Sequence, residues 1–283
     1  MSAAEENLVP EVSLIQGRIE EVSLGEPTVH GQMAIFPLLD KEESARDYLT
    51  LDESIANGYA HVTEVDESGD VPELKFRNSS DKRIFLMEGE ELVGAKQNRT
   101  LNLSILAPAE REITIPVTCV ESGRWSYNSE RFDSSDRVHY SRGRRKKMAS
   151  VSESMNFCNR PEANQSAVWD EISSKELRMK SFSPTSSMGA IFEKNKGRLS
   201  DYVKAFTAIE NQAGMLVMVG DDIVGLDLFD NKETLKKLMP KLVRSFALDA
   251  LELNTRKKYQ PEIEDAKDLL KKTATANTSN HPA

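Results

Sequence analysis

The chain reads as an α+β domain. A strand-rich N-terminal half forms an antiparallel sheet of sandwich or open-barrel type, and helices and a hairpin from the C-terminal half pack on it. Three observations predict this. Short apolar or alternating runs separated by Gly, Pro, Asn, Asp and Ser occupy the region from about Val22 to Val120. Two segments with helical spacing, QSAVWDEISSKELRM and LSDYVKAFTAIENQAG, follow only after residue 160. Finally, MLVMV and IVGLDLF flank Gly220-Asp221-Asp222, a favourable hairpin turn.

In order, residues 1–10 are polar and are expected to form a disordered tail. GQMAIFPLL, YAHVTEV, ELKFRN and RIFLME read as strands, and LDESIANG as a helical turn or two ending at Gly58. RTLNLSIL and EITIPVTC form the clearest strand pair. Leu101, Leu103 and Ile105 alternate with Asn102 and Ser104, and Ile113, Ile115 and Val117 alternate with Thr114, Pro116 and Thr118. Ala107-Pro108-Ala109-Glu110 makes the turn. Pro116 has no N–H to give a ladder, which predicts an edge or a bulge.

Around Glu130 to Pro161 the chain becomes rich in Ser, Arg and Asp, and a mobile surface excursion is expected at about 133–160. Leu199, Tyr202, Val203, Phe206 and Ile209 share a helix face. A last helix runs from about Lys232 to Leu253, with Leu235, Leu238, Leu242 and Phe246 at core spacing and a kink or restart at Pro240. Residues 255–283 form a polar tail in which Ile263, Ala266, Leu269 and Leu270 have amphipathic spacing. One domain over 11–254 results.

With 39% apolar and 29% charged residues the chain can build a core. Its net charge of −9 disfavours nucleic acid as a partner. No apolar run is long enough for a membrane span, and the acidic N-terminus is unlike a signal peptide, so a cytoplasmic location is expected. Cys119 and Cys158 are too few for a disulfide framework and read as thiols. The histidines, His30, His61, His139 and His281, are scattered, which supports no metal site, and no cofactor is identifiable. Phosphate-loop, dinucleotide-fold and serine-hydrolase motifs are absent.

Two segments concentrate chemistry. Glu88-Gly-Glu-Glu-Leu-Val-Gly-Ala-Lys-Gln-Asn-Arg99 brings three carboxylates, an amide pair and two cations into twelve residues. Carboxylates that close repel unless a cation, a proton or a metal offsets them. The plain reading is a solvated loop with Lys96 and Arg99 as counter-ions. Cys119-Val-Glu-Ser-Gly-Arg-Trp-Ser-Tyr127 sets Arg124 beside Trp125, a pairing that suits an anion joined to a planar ring. The plain reading here has Trp125 and Tyr127 capping the sheet and Arg124 pairing with Glu121. The stretch from Arg137 to Lys147, with six formal positive charges, suits phosphates or an acidic partner, or is a solvated loop.

The strings LMEGEELVGAKQNRTLNLSILAPA, IPVTCVESGRWSY and VGLDLFDNKETLKKLMPKLVRSFALDAL resemble the ARG and rhodanese-phosphatase-superfamily-associated protein domain over roughly residues 24–253. The family's name records association with ADP-ribosylglycohydrolase-type and rhodanese-phosphatase-type proteins. By that association the resemblance implies a place in NAD or ADP-ribose metabolism. It carries over no catalytic residues.

The expectation is a site for a small ADP-ribose-like or other phosphorylated nucleotide ligand. Arg99, Arg124 and Arg131 would meet phosphates, Trp125 would stack, and Gln97 and Asn98 would hydrogen-bond. Glu88, Glu90, Glu91 and Glu121 would supply acid/base carboxylates for a hydrolase or transferase. The alternative is a non-enzymatic sensor or protein-interaction module using the same loops.

Overall fold

The computed structural model describes residues 11–42, 44–66, 72–253, 261–277 and 281. The segments read as the N-terminal tail and the start of the C-terminal tail, 1–10 and 255–260, lie outside them. The chain runs α1 (Glu11–Glu21), β1 (Ser23–Leu24), β2 (Thr28–His30), β3 (Met33–Leu39), β4 (Tyr48–Thr50), α2 (Leu51–Ala56), β5 (Ala60–Glu64), β6 (Glu73–Asn78) and β7 (Arg83–Leu86). It continues with β8 (Glu90–Gly94), β9 (Arg99–Leu101), β10 (Ile105–Ala107), β11 (Glu112–Cys119), β12 (Phe132–Val138), α3 (Ser141–Cys158), α4 (Gln165–Met179), α5 (Met188–Lys194) and α6 (Lys196–Ala205). The last elements are β13 (Gln212–Val219), β14 (Asp222–Leu228), α7 (Lys232–Ala250) and α8 (Ile263–Ala274).

The fold is α+β, as the sequence predicts, and the antiparallel barrel closes: β11, β6, β5, β12, β8 and β9 return to β11. Alternation fills its interior with Val62, Leu74, Phe76, Leu92, Leu101, Ile115 and Val117. Pro116 is the last residue of β11 to pair with β6; from Val117 onward the strand pairs with β9 on its other side. A ring that cannot donate is therefore placed where the ladder changes partner. The predicted pair RTLNLSIL–EITIPVTC forms only over β9, because β10 leaves the barrel to pair with β7. Parallel pairing of β4 with β7 completes that small sheet.

The C-terminal hairpin, turned at Gly220 with φ +60°, adds β13 and β14 beside β3. β13 is buried along its whole length. Met215 and Val217 face the helical core with Met33 and Ile35, while Leu216 and Met218 face α8 with Ala34 and Phe36. A strand covered on both faces carries a continuous apolar run. Within the predicted C-terminal tail, α8 docks by Ala266, Ile263 and Leu269, three of the four residues of the amphipathic set read from the sequence.

Two expectations need correction. The stretch at about 133–160 is not an irregular excursion but β12 followed by the 18-residue helix α3. The residues α3 buries are Ser141, Gly143, Lys147 and Val151, so small and charged side chains do what apolar ones usually do. Pro240 does not interrupt α7, whose buried face, including Leu235, Leu238, Leu242, Val243 and Phe246, holds one continuous helix. Burial of about 1.5–3 kcal/mol for each such side chain outweighs roughly 3 kcal/mol for an internal proline. Among the described residues no helix is long and apolar enough to cross a membrane.

Candidate functional site

The run from Glu88 to Arg99 spans β8 and the bend into β9, and most of it is buried rather than solvated. Gly94, at φ +140°, sits where a Cβ would fall 2.4 Å from the Arg131 carbonyl oxygen, so the close approach of the two segments requires glycine.

Each carboxylate has its own cation. Glu88 accepts from Arg144 Nε at 2.6 Å and lies 2.8 Å from Lys147 Nζ, while Arg144 also pairs with Asp227 at 3.0 Å. Glu90 accepts from Lys241 Nζ at 2.8 Å, which also reaches Asp52 at 2.6 Å. Glu91 accepts from Arg137 Nε and from Ser135 Oγ at 3.0 Å, and its Oε1 meets no donor. Glu121 pairs with Arg124 at 2.7 Å and accepts from Thr185 Oγ1 at 2.8 Å and the Asn98 amide at 3.2 Å. The mutual repulsion expected from the sequence is thus offset by Arg and Lys from α3, α7 and β12. Among the described residues no three His, Cys, Asp or Glu side chains are arranged to hold a metal ion.

The electrostatics divide these groups. Burial opposes ionisation of Glu88, but the charges of Lys147 and Arg144 overcome it and hold the carboxyl below its ordinary value. Glu121 is likewise lowered: burial opposes ionisation and the bonds from Arg124, Thr185 and Asn98 prevail. For Glu91 burial wins over Arg137, and the nearby charge of Glu121 adds to it, so its carboxyl is raised. Glu88 and Glu90 tie the barrel to α3 and α7, and the second carboxylate near each, Asp227 beside Glu88 and Asp52 beside Glu90, is held by the same cation.

The two chemically dense segments do meet. Gln97 Nε2 donates to the Glu121 carbonyl at 3.0 Å. Arg124 donates to the Ala95 carbonyl at 2.7 Å and to Asn98 Oδ1 at 3.0 Å. Trp125 stands over Lys96 Nζ at 5.3 Å and over the Arg99 guanidinium at 5.6 Å, and Tyr127 lies 5.1 Å from Lys96. Arg131 does not join them; it donates to His61 Nδ1 at 3.1 Å.

Arg99 is the exception to the pairing rule. Its side chain is on the inward phase of the barrel, opposite Cys119 on β11 and Leu92 on β8. It is 0% exposed. Nη1 donates to Gln97 Oε1 at 2.6 Å, but Nε and Nη2 meet no oxygen or nitrogen acceptor, and no described carboxylate pairs with the guanidinium. The indole N–H of Trp169, on α4, is also buried without an oxygen or nitrogen acceptor. Both lie beside the Cys119 thiol, which burial raises although Arg99 and Trp169 pull it down. A buried guanidinium without a counter-ion is costly unless an anion reaches it. Trp125, 49% exposed, is the cover over this donor set.

Glu91 lies opposite Thr100, one residue out of phase with Arg99, so the raised carboxyl and the unpaired guanidinium point to opposite faces of the β8–β9 pair. The sequence reading named Arg99, Arg124, Trp125, Gln97 and Asn98, which the structure brings together with Glu121. It missed Trp169, and it weighed Lys96 only as a counter-ion and Cys119 as a plain thiol. Cys119 continues the inward phase of Ile115 and Val117, a signal that was available; Trp169 comes from a distant helix and left none.

A family model for the ARG and Rhodanese-Phosphatase-superfamily-associated Protein domain matches residues 21–283. No curated protein and no solved structure matches the chain. With nearly its whole length matched, the chain belongs to the ARG and Rhodanese-Phosphatase-superfamily-associated Protein domain family.

Proposed function

We propose that the protein is a binding module, a sensor, for an ADP-ribose-like or other phosphorylated nucleotide derivative, held at the end of the barrel beneath Trp125. One observation carries the reading: the Arg99 guanidinium is fully buried with two N–H donors unmet and no carboxylate to balance it. A phosphate oxygen supplies both the charge and the acceptors, and a guanidinium fork suits it. Trp125, half exposed above Arg99 and Lys96, offers its ring to a base or sugar once it swings outward. The two free thiols, Cys119 and Cys158, are consistent with a cytoplasmic setting.

Binding rather than hydrolysis or transfer is favoured because the carboxylates are committed to Arg and Lys partners and Glu91 faces away from Arg99. The test is a thermal-shift screen against ADP-ribose, NAD and their phosphorylated derivatives, with each stabilising compound recovered and weighed by mass spectrometry. A compound that raises Tm and is recovered intact supports the sensor. One that is consumed makes the protein a hydrolase or transferase, and no stabilisation by any of them overturns the nucleotide reading.

A further inference from the structure

We propose that the outer face of the barrel carries a second anion site, separate from Arg99, that takes a compact oligophosphate group. Antiparallel register builds it. Across β5 and β6, His61 lies opposite Arg77 and Thr63 opposite Lys75; across β6 and β11, Arg77 lies opposite Glu112 and Lys75 opposite Thr114. These positions alternate with Val62, Leu74 and Phe76 of the barrel interior, so they form the outward phase. Arg131, the residue before β12, extends the row by reaching His61.

The result is a trough of about 390 Å³, within the range of small-ligand sites. Three formal cations, Lys75, Arg77 and Arg131, face one carboxylate, Glu112, in a chain whose net charge is −9. Lys75 reaches Glu112 only at 3.9 Å. Arg77 makes no hydrogen bond or ion pair with any described side chain. Arg131 donates to an imidazole nitrogen, and a guanidinium cannot accept, so its charge is left unbalanced. Lys75 and Arg77 stand two residues apart on the same face of β6, so their like charges repel. An anion bridging Arg77, Arg131 and Lys75 reverses that repulsion.

Apart from the His61 imidazole the lining holds no ring to stack on a base, and Thr63 adds a hydroxyl. The trough therefore recognises charge and phosphate oxygens rather than a nucleobase. It also accounts for Arg131, which the structure separates from Arg99 and Arg124.

The test is calorimetric titration of the full chain with sodium tripolyphosphate at low ionic strength. Wild type is expected to show saturable binding that weakens at least tenfold in Lys75→Gln/Arg77→Gln and tightens in Glu112→Gln. All three positions are on the surface of the barrel, and an unchanged Tm in each variant confirms that the fold is intact. Failure of wild type to saturate, or equal affinity in the double variant, overturns the proposal. Neither result bears on Arg99, which points into the barrel and is tested with nucleotide ligands.

Discussion

Replacing Arg99 by Met removes a buried guanidinium that no described carboxylate balances, and the variant should be more stable than wild type. Each unmet buried donor costs about 1–3 kcal/mol, and Nε and Nη2 are both unmet. Against that, the variant gives up a charge-assisted bond to Gln97 at about 1.5–3 kcal/mol and the contact with Trp125 at about 0.5–2 kcal/mol. Gln97 keeps its bond to the Glu121 carbonyl. At the centres of these ranges the difference favours Met by about 0.5 kcal/mol, a rise in Tm of roughly 1–2 °C for a domain of this size. Urea and thermal unfolding without added anions measure it. A loss of more than about 2 kcal/mol would show that the guanidinium is a satisfied structural group, and the site argument built on it would fail.

The paired cations should behave in the opposite way. Lys241→Met strands the buried Glu90 carboxylate and should cost about 3–5 kcal/mol in urea unfolding. Glu88 and Glu91 should show opposite pH dependence. Glu88 is lowered in the folded state, so its contribution is present above the ordinary value of 4.5 and lost as pH falls below it; the cost of Glu88→Gln should shrink in acid. Glu91 is raised, so folding is penalised as pH rises above 4.5, and Glu91→Gln should gain on wild type in that direction. Gly143→Ala drives a Cβ to 2.0 Å from the buried His139 ring and should destabilise by about 1–3 kcal/mol, read from Tm. Trp125→Ala should weaken ADP-ribose binding roughly tenfold by removing a stacking surface, measured by calorimetry.

Period-2 alternation made the barrel strands legible, and the apolar run of β13 with its Gly-Asp-Asp turn made the hairpin legible. What alternation could not show was closure, because the partner of each strand is a long-range choice: β9 pairs with β11 as expected, whereas β10 departs to β7. Helix α3 was hidden because Gly143, Lys147 and Val151 form its buried face at four-residue spacing, and only one of the three is apolar. The site divides the same way. Charge density marked Glu88 to Arg99, and the Arg-Trp pair marked the second segment. Which charges cancel depends on Arg144, Lys147 and Lys241, far along the chain, whose basic runs read equally well as solvated loops. Nothing local distinguished Arg99 from Arg144, since only the fold decides which guanidinium is given a carboxylate.

The most direct test of the account is a calorimetric titration of ADP-ribose into wild type and into Arg99→Met, with the intrinsic fluorescence of Trp125 and Trp169 followed in parallel. The account predicts saturable binding with a change in tryptophan emission in wild type, and loss of both in the variant while its fold melts at or above the wild-type temperature. Binding of equal strength in the two proteins would contradict it, because the unpaired guanidinium would then have no part in holding the ligand.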